Sequence, residues 1–191
     1  MLRKETILLV FCAVSVGAIQ VRAEEPAKAE EKKQDEKKAD KVTLADGKLE
    51  MAVPEKWVRK EPQTSIVEHE FALAKADGDE ADGRLTVMGA GGTVQANIDR
   101  WYGQFAEQAK GKTSKTKVAG IDVHLVDISG TFKDQRGPLA PAVSRKDYRM
   151  LVAVIDTDKL GRYFVKLTGP AKTIAAHEKE FTQLIESLKA K

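Results

Sequence analysis

From Glu24 to Lys41 the chain reads EEPAKAEEKKQDEKKADK: seven acids, six bases and no side chain larger than Ala that a core could use. Such a segment cannot bury enough apolar area to offset the entropy lost on ordering, so it is expected to be a disordered charged linker. Any fold must be built from the residues on either side of it. Its signs are mixed and not blocked, which fits a solvated spacer better than a charge-specific tether.

On the N-terminal side stand Met1-Leu2-Arg3-Lys4, an apolar run from Ile7 to Ile19 broken only by Ser15, and Val21-Arg22-Ala23. A basic start, a short apolar run and small residues before a cut are the parts of a secretory signal peptide, expected over residues 1–23 with cleavage after Ala23. A permanent span needs about 20 apolar residues, so no stable membrane span is expected after cleavage. Cys12 follows Phe11, whereas lipid attachment requires a small residue immediately before the cysteine. Cleavage removes this single cysteine, leaving a mature chain with neither disulfide nor thiol chemistry. The location implied is outside the cytoplasm, periplasmic or extracellular.

Residues 42–191 are then one domain, large enough for a sizeable core. With 32 Lys and Arg against 29 Asp and Glu, the strong basic excess of a nucleic-acid binder is absent. Leu49, Met51 and Val53 alternate with polar neighbours as a first strand, stopped by Pro54 and followed by Trp57. Ile66–Leu73 and Leu85–Met88 read as a hairpin pair around the polar Asp77–Gly83 connection. A helix is expected from a Thr93 cap to Lys110, with Ile98, Trp101, Tyr102, Phe105 and Ala109 as its apolar stripe. Strands follow at Thr116–Val118 and Ile121–Ile128 around a tight turn at Ala119-Gly120, the second extending toward Phe132. Lys133–Lys146 is a loop marked by Gly137, Pro138 and Pro141. Tyr148–Ile155 contains MLVAVI, which suits a central strand covered on both faces, and Arg162–Thr168 returns beyond Leu160-Gly161. A last helix starts near Pro170 and buries Ile174, Phe181, Leu184, Ile185 and Leu188. This order predicts an α+β fold, an antiparallel sheet of about six to seven strands packed between helices.

The residues offer little catalysis. Met88 to Gly92 leaves a strand and enters a helix, so its N–H groups could cradle an anion, but the glycines serve a tight crossover equally well and no Walker lysine follows. His69, His124 and His177 lack metal-ligand spacing. His69 lies between Glu68 and Glu70, which point to the opposite face of the strand. Asp77–Gly83 lacks the pattern of a calcium loop and reads as a solvated hairpin tip. There is no Gly-x-Ser-x-Gly elbow, and Ser129 has no assigned base. Arg136, Arg145, Lys146 and Arg149 make the long loop and its exit basic. No catalytic residue, cofactor or metal site is assigned.

The succession of Pro54 to Trp57 after a first strand, MGAGGTVQANIDRWYGQF, ISGTF, YRMLVAVI, YFVKLTGP and a closing FTQLIESL resembles secreted bacterial proteins of unassigned function. In strand order it is similar to the PsbP-like superfamily, which includes the photosystem II extrinsic subunit and a nuclear Ran-binding factor. The resemblance spans nearly all of Leu44 to Leu188. It implies an α/β/α sandwich and a non-catalytic binding or accessory role, and it supplies no site residues.

The leading expectation is therefore an exported, monomeric or weakly associating binding or accessory domain for a protein or envelope component. Its contact rim is expected at Gly89, Gly91, Gly92, Asn97, Arg100, Arg136 and Arg145. The alternative is a small secreted hydrolase or metal-dependent enzyme using His124 with Asp122 or Asp127.

Overall fold

The computed structural model describes residues 40–135 and 141–191. The expected signal peptide, the expected linker up to residue 39, and Arg136 lie outside the described residues.

Described elements begin with a hairpin of β1 (Lys41–Leu44) and β2 (Leu49–Ala52), then β3 (Val58–Lys60), β4 (His69–Leu73) and β5 (Gly83–Ala90). Helix α1 (Val94–Gly103) precedes a meander of β6 (Lys110–Val118), β7 (Ile121–Asp134), β8 (Val143–Thr157) and β9 (Gly161–Pro170). Helix α2 (Ala171–Glu186) and the short β10 (Lys189–Ala190) follow. Seven strands form an antiparallel sheet in the order β3-β4-β5-β9-β8-β7-β6, and β1-β2-β10 form a second, three-stranded sheet. The main sheet has the expected number of strands, but the first expected strand, Leu49 to Val53, falls in the small sheet, and β3 takes a place at the main sheet's edge. The small sheet was not foreseen, because β1 and β10 are too short to show a period.

The apolar pattern explains the layers. Met150 to Ile155 are all buried, with β8 central between β7 and β9. Alternate residues of this strand feed two cores. Leu151, Ala153 and Ile155 pack with Phe181, Leu184 and Ile185 of α2 and with Leu44, Leu49 and Met51 of the small sheet. Met150, Val152 and Val154 pack with Ile98 and Trp101 of α1, where Trp101 meets Phe164 edge-on at 5.0 Å. Turn chemistry agrees at Ala119-Gly120, whose φ values of 50° and 80° are the paired left-handed conformations of a two-residue hairpin.

Several boundaries differ from expectation, among them β6, which begins at Lys110 rather than Thr116, and β4, which begins at His69 rather than Ile66. Thr93 caps α1 as predicted, accepting from Ala96 N at 3.1 Å, but the helix ends at Gly103 rather than Lys110. Backbone bonds from Ala106 N to Thr131 O (2.9 Å) and from Lys133 N to Gln104 O (2.7 Å) capture the next residues against β7. Phe105 keeps its place in the apolar row without helical backbone, 5.3 Å from Phe132. The loop expected from Lys133 is shorter, since Lys133 pairs with Ser144 and Asp134 with Val143. The Asp77–Gly83 connection, expected as a solvated tip, is tied to α2: Asp79 accepts from Thr173 N (2.9 Å) and Thr173 Oγ1 (2.6 Å). It fills a vacancy, because Pro170 at the N-cap has no side chain that can bond the first turn.

Candidate functional site

Cross-strand register places Glu70, Thr86, Lys166, Val152 and Val126 in one row on the α1 side of the main sheet, and Ala72, Arg84, Thr168, Met150 and Ile128 in the next. Each row is apolar where α1 lies over β7, β8 and Phe164 of β9. Each turns polar toward β5 and β4, and the α1 core takes in none of Glu70, Ala72, Arg84 or Thr86. Met88, toward the end of β5, still packs against that core. Lys166 stands where the apolar half meets the polar half.

The charges there are unevenly matched. Arg84 forks onto Glu70, Nε to Oε1 and Nη2 to Oε2, both at 2.8 Å. That fork holds the Glu70 carboxyl below its usual range despite burial, and the guanidinium is stabilised in return. Lys166 makes no hydrogen bond or ion pair with any described residue. Burial, then the like charges of Arg84 and Arg100, pull its ammonium down to about 8. The buried hydroxyls of Thr86, its cross-strand neighbour, and of Thr168 have no partner either. Most buried polar groups are bonded, so an unpaired lysine beside two unpaired hydroxyls singles out this spot.

The expected rim residues divide between bracing and display. Asn97, only 3% exposed, donates to Gly91 O at 3.0 Å and Thr93 O at 2.8 Å. Its Oδ1 accepts from Arg100 Nη2 and so orients that guanidinium. Gly89 N donates to Glu68 Oε1 at 2.9 Å, and Gly92 O accepts from Arg162 Nη1. Both glycines thus spend a backbone group internally, and Gly92, at φ 81°, supplies the left-handed turn. Arg100 is exposed and close enough to Lys166 to depress its pKa. Arg145, on the extended β7–β8 arm, faces Asp134 Oδ2 at 3.4 Å, and Asp134 in turn acts on Arg84. A chain of charges therefore runs from Arg145 through Asp134, Arg84 and Lys166 to Arg100. Arg149, grouped with the basic loop by sequence, belongs elsewhere: it clamps Asp127 (2.9 and 3.0 Å) and Glu178 (2.7 Å), tying α2 to the opposite face.

His69, His177, Asp122 and Asp127 have internal partners. Asp122 is held by Lys115 and Lys117, which bring its pKa to about 2. Asp127 is raised by burial and lowered further by Arg149 and Lys112. His124 has no hydrogen bond to either. His69 Nδ1 faces Arg59 Nη1 at 2.9 Å and its Nε2 faces Thr43 O at 3.0 Å, so the ring bridges the two sheets. His177 lies between Glu180 Oε2 (2.6 Å) and Ala74 O (2.9 Å). Among the described residues no group of three or more His, Cys, Asp or Glu is placed to hold a metal ion, and no helix is long and apolar enough to cross a membrane.

A concavity of about 590 Å3 lies on the opposite face between β6, β7 and α2, with Val118, Leu125, Leu151, Phe181 and Ile185 in its lining. Its rim is largely self-neutralised: Lys112 reaches Asp127 at 3.5 Å and Glu178 is taken by Arg149. Sequence reasoning found Asn97 and Arg100 but missed Arg84, Thr86, Lys166 and Thr168. These sit at polar positions of alternating strands and read as an ordinary wet face until register brings them together.

No family model and no curated protein matches the chain. Among solved structures, it is similar to cyanobacterial PsbP (CyanoP) from Synechocystis sp. PCC 6803, with a TM-score of 0.50 and 12% identity over 80% of this chain and 92% of that one. It is also similar to the Ran-binding protein Mog1p of Saccharomyces cerevisiae (TM-score 0.48, 11% identity, 80% and 95% covered). LpqN of Mycobacterium tuberculosis, involved in cell envelope biogenesis, gives a TM-score of 0.49 at 12% identity, with 80% and 90% covered. At such identities the likeness to CyanoP is one of fold. The α+β fold is PsbP-like, as the sequence resemblance implied.

Proposed function

We propose that this chain is an exported, non-catalytic binding or accessory domain whose contact surface is the cationic half-face bounded by α1, β5, β9 and the β7–β8 arm, and whose partner is a protein or envelope component that presents anionic groups. The single observation carrying this reading is Lys166, a half-buried cation with no counter-charge, flanked by Arg84 and Arg100. Burying a charge without a partner is costly, and perturbed groups of this kind concentrate at functional sites. The exposed Val58 and Val143, at 55% and 50%, add apolar contact area: Val58 stands in the Ala72–Arg84 row and Val143 opposite Asp134.

Export belongs to the same proposal and rests on the basic start, apolar run and small residues of positions 1–23. The charged segment that follows would hold the domain away from the envelope or a partner. Intact mass of the exported protein, expected to begin at Glu24, tests that part. The contact face is tested by capture from an envelope extract on immobilised protein. Replacing Arg100→Ala together with Arg145→Glu is expected to abolish capture while leaving thermal unfolding unchanged. Undiminished capture by that variant would refute the face.

A further inference from the structure

Resting on the contact face proposed above, the geometry points to a phosphate group as the ligand bound beside Lys166, between Arg84 and Arg100. Donors remain after every internal bond is counted. Arg84 spends Nε and Nη2 on Glu70, and Arg100 spends Nη2 on Asn97. That leaves Nη1 of Arg84, Nε and Nη1 of Arg100, and all three protons of Lys166. The hydroxyls of Thr86 and Thr168 also lack a partner but are closed off from the surface, so they lie beneath the site and are not among its donors. Guanidinium and ammonium donors together form the set that oxyanion recognition uses.

Charge decides among the oxyanions. Arg84, Arg100, Arg145 and Lys166 face the two carboxylates of Glu70 and Asp134. A phosphomonoester, close to a dianion near neutral pH, balances that excess, whereas one carboxylate leaves half of it. A polyanion is disfavoured, because Glu70 and Asp134 interrupt the positive surface and the formal charge of the whole chain is only +3. Arg100, exposed and held by Asn97, is near enough to act on the Lys166 charge, so a bound phosphate would meet a guanidinium already oriented.

Acylation footprinting reads the site directly. The full chain is treated at about pH 8 with a limiting amine-acylating reagent, and modification of Lys166 is followed by mass spectrometry against the exposed lysines of β6. Inorganic phosphate is expected to protect Lys166 saturably, while acetate at equal ionic strength does not. Phosphatidylcholine vesicles with and without phosphatidic acid separate the sources. Protection by the phosphatidic acid vesicles as well places the phosphate on a lipid, and protection by inorganic phosphate alone marks a soluble ligand. Arg100→Gln, on an exposed helix position, should weaken protection by about tenfold, the loss of one charge-assisted hydrogen bond. No saturable protection, equal protection by acetate, or unaltered protection in Arg100→Gln would overturn the assignment. If Lys166→Met still captures the extract partner while Arg100→Ala with Arg145→Glu does not, the phosphate assignment fails and the contact face stands.

Discussion

Lys166 shows how one residue can be kept at the expense of the fold. Its folded pKa of about 8 lies below the unfolded lysine value of about 10.4, so the folded state binds the proton more weakly. The sign follows: the penalty is complete below about pH 8, is relieved as pH rises through the interval, and is gone above the unfolded value. Lys166→Met retains most of the stem and removes the charge. It is expected to raise stability at pH 7 by about 1–2 kcal/mol, after allowance for solvent screening at a partly exposed site. That advantage should shrink at pH 10. Denaturant unfolding at the two pH values checks it, and a variant equally stable or less stable than the parent at pH 7 would contradict the unpaired state of the ammonium. Thr86 beside it is a second local sacrifice, 1% exposed with a hydroxyl bonded to nothing.

Among the elements, α2 is the clearest case of a helix completed from a distance. Pro170 starts it with a preset φ of −55° but brings no capping oxygen, and Asp79 supplies one from the β4–β5 connection. Asp79→Ala is expected to cost about 1 kcal/mol, as loss of a capping carboxylate does elsewhere, and Asp79→Asn to restore part of it. Chemical denaturation measures both. This cap also marks where sequence reading stops. The apolar period of α2 and the all-buried run of β8 were legible, because burial on one stripe or on both faces dictates the residue type locally. The end of α1 was not, since Phe105 and Ala109 satisfy a helical stripe equally well when the backbone between them pairs with β7. Asp79, Arg84 and Lys166 were illegible for the same reason: each partner, or missing partner, lies across the sheet or at the far end of the chain. Asn97 and Arg100 were legible as neighbours one helical turn apart, though not in their division into brace and displayed charge.

For the molecule as a whole, the two faces of the main sheet carry different duties. The α2 face is closed by a helix and a small sheet, and its charges are spent on Arg149–Asp127–Glu178. On the α1 face, the core under one ten-residue helix draws on β7, β8, Phe164 and Met88, and Lys166 lies under the influence of Arg84 and Arg100. Binding is therefore proposed beside Lys166 and not in the groove of about 590 Å3 beneath β6. The most direct measurement is a map of backbone amide shifts on adding the component captured from the envelope extract. The account predicts changes confined to β4, β5, β9, the Arg100 turn of α1 and the β7–β8 arm. Changes confined to β6, the Ala119-Gly120 turn and α2 would contradict it.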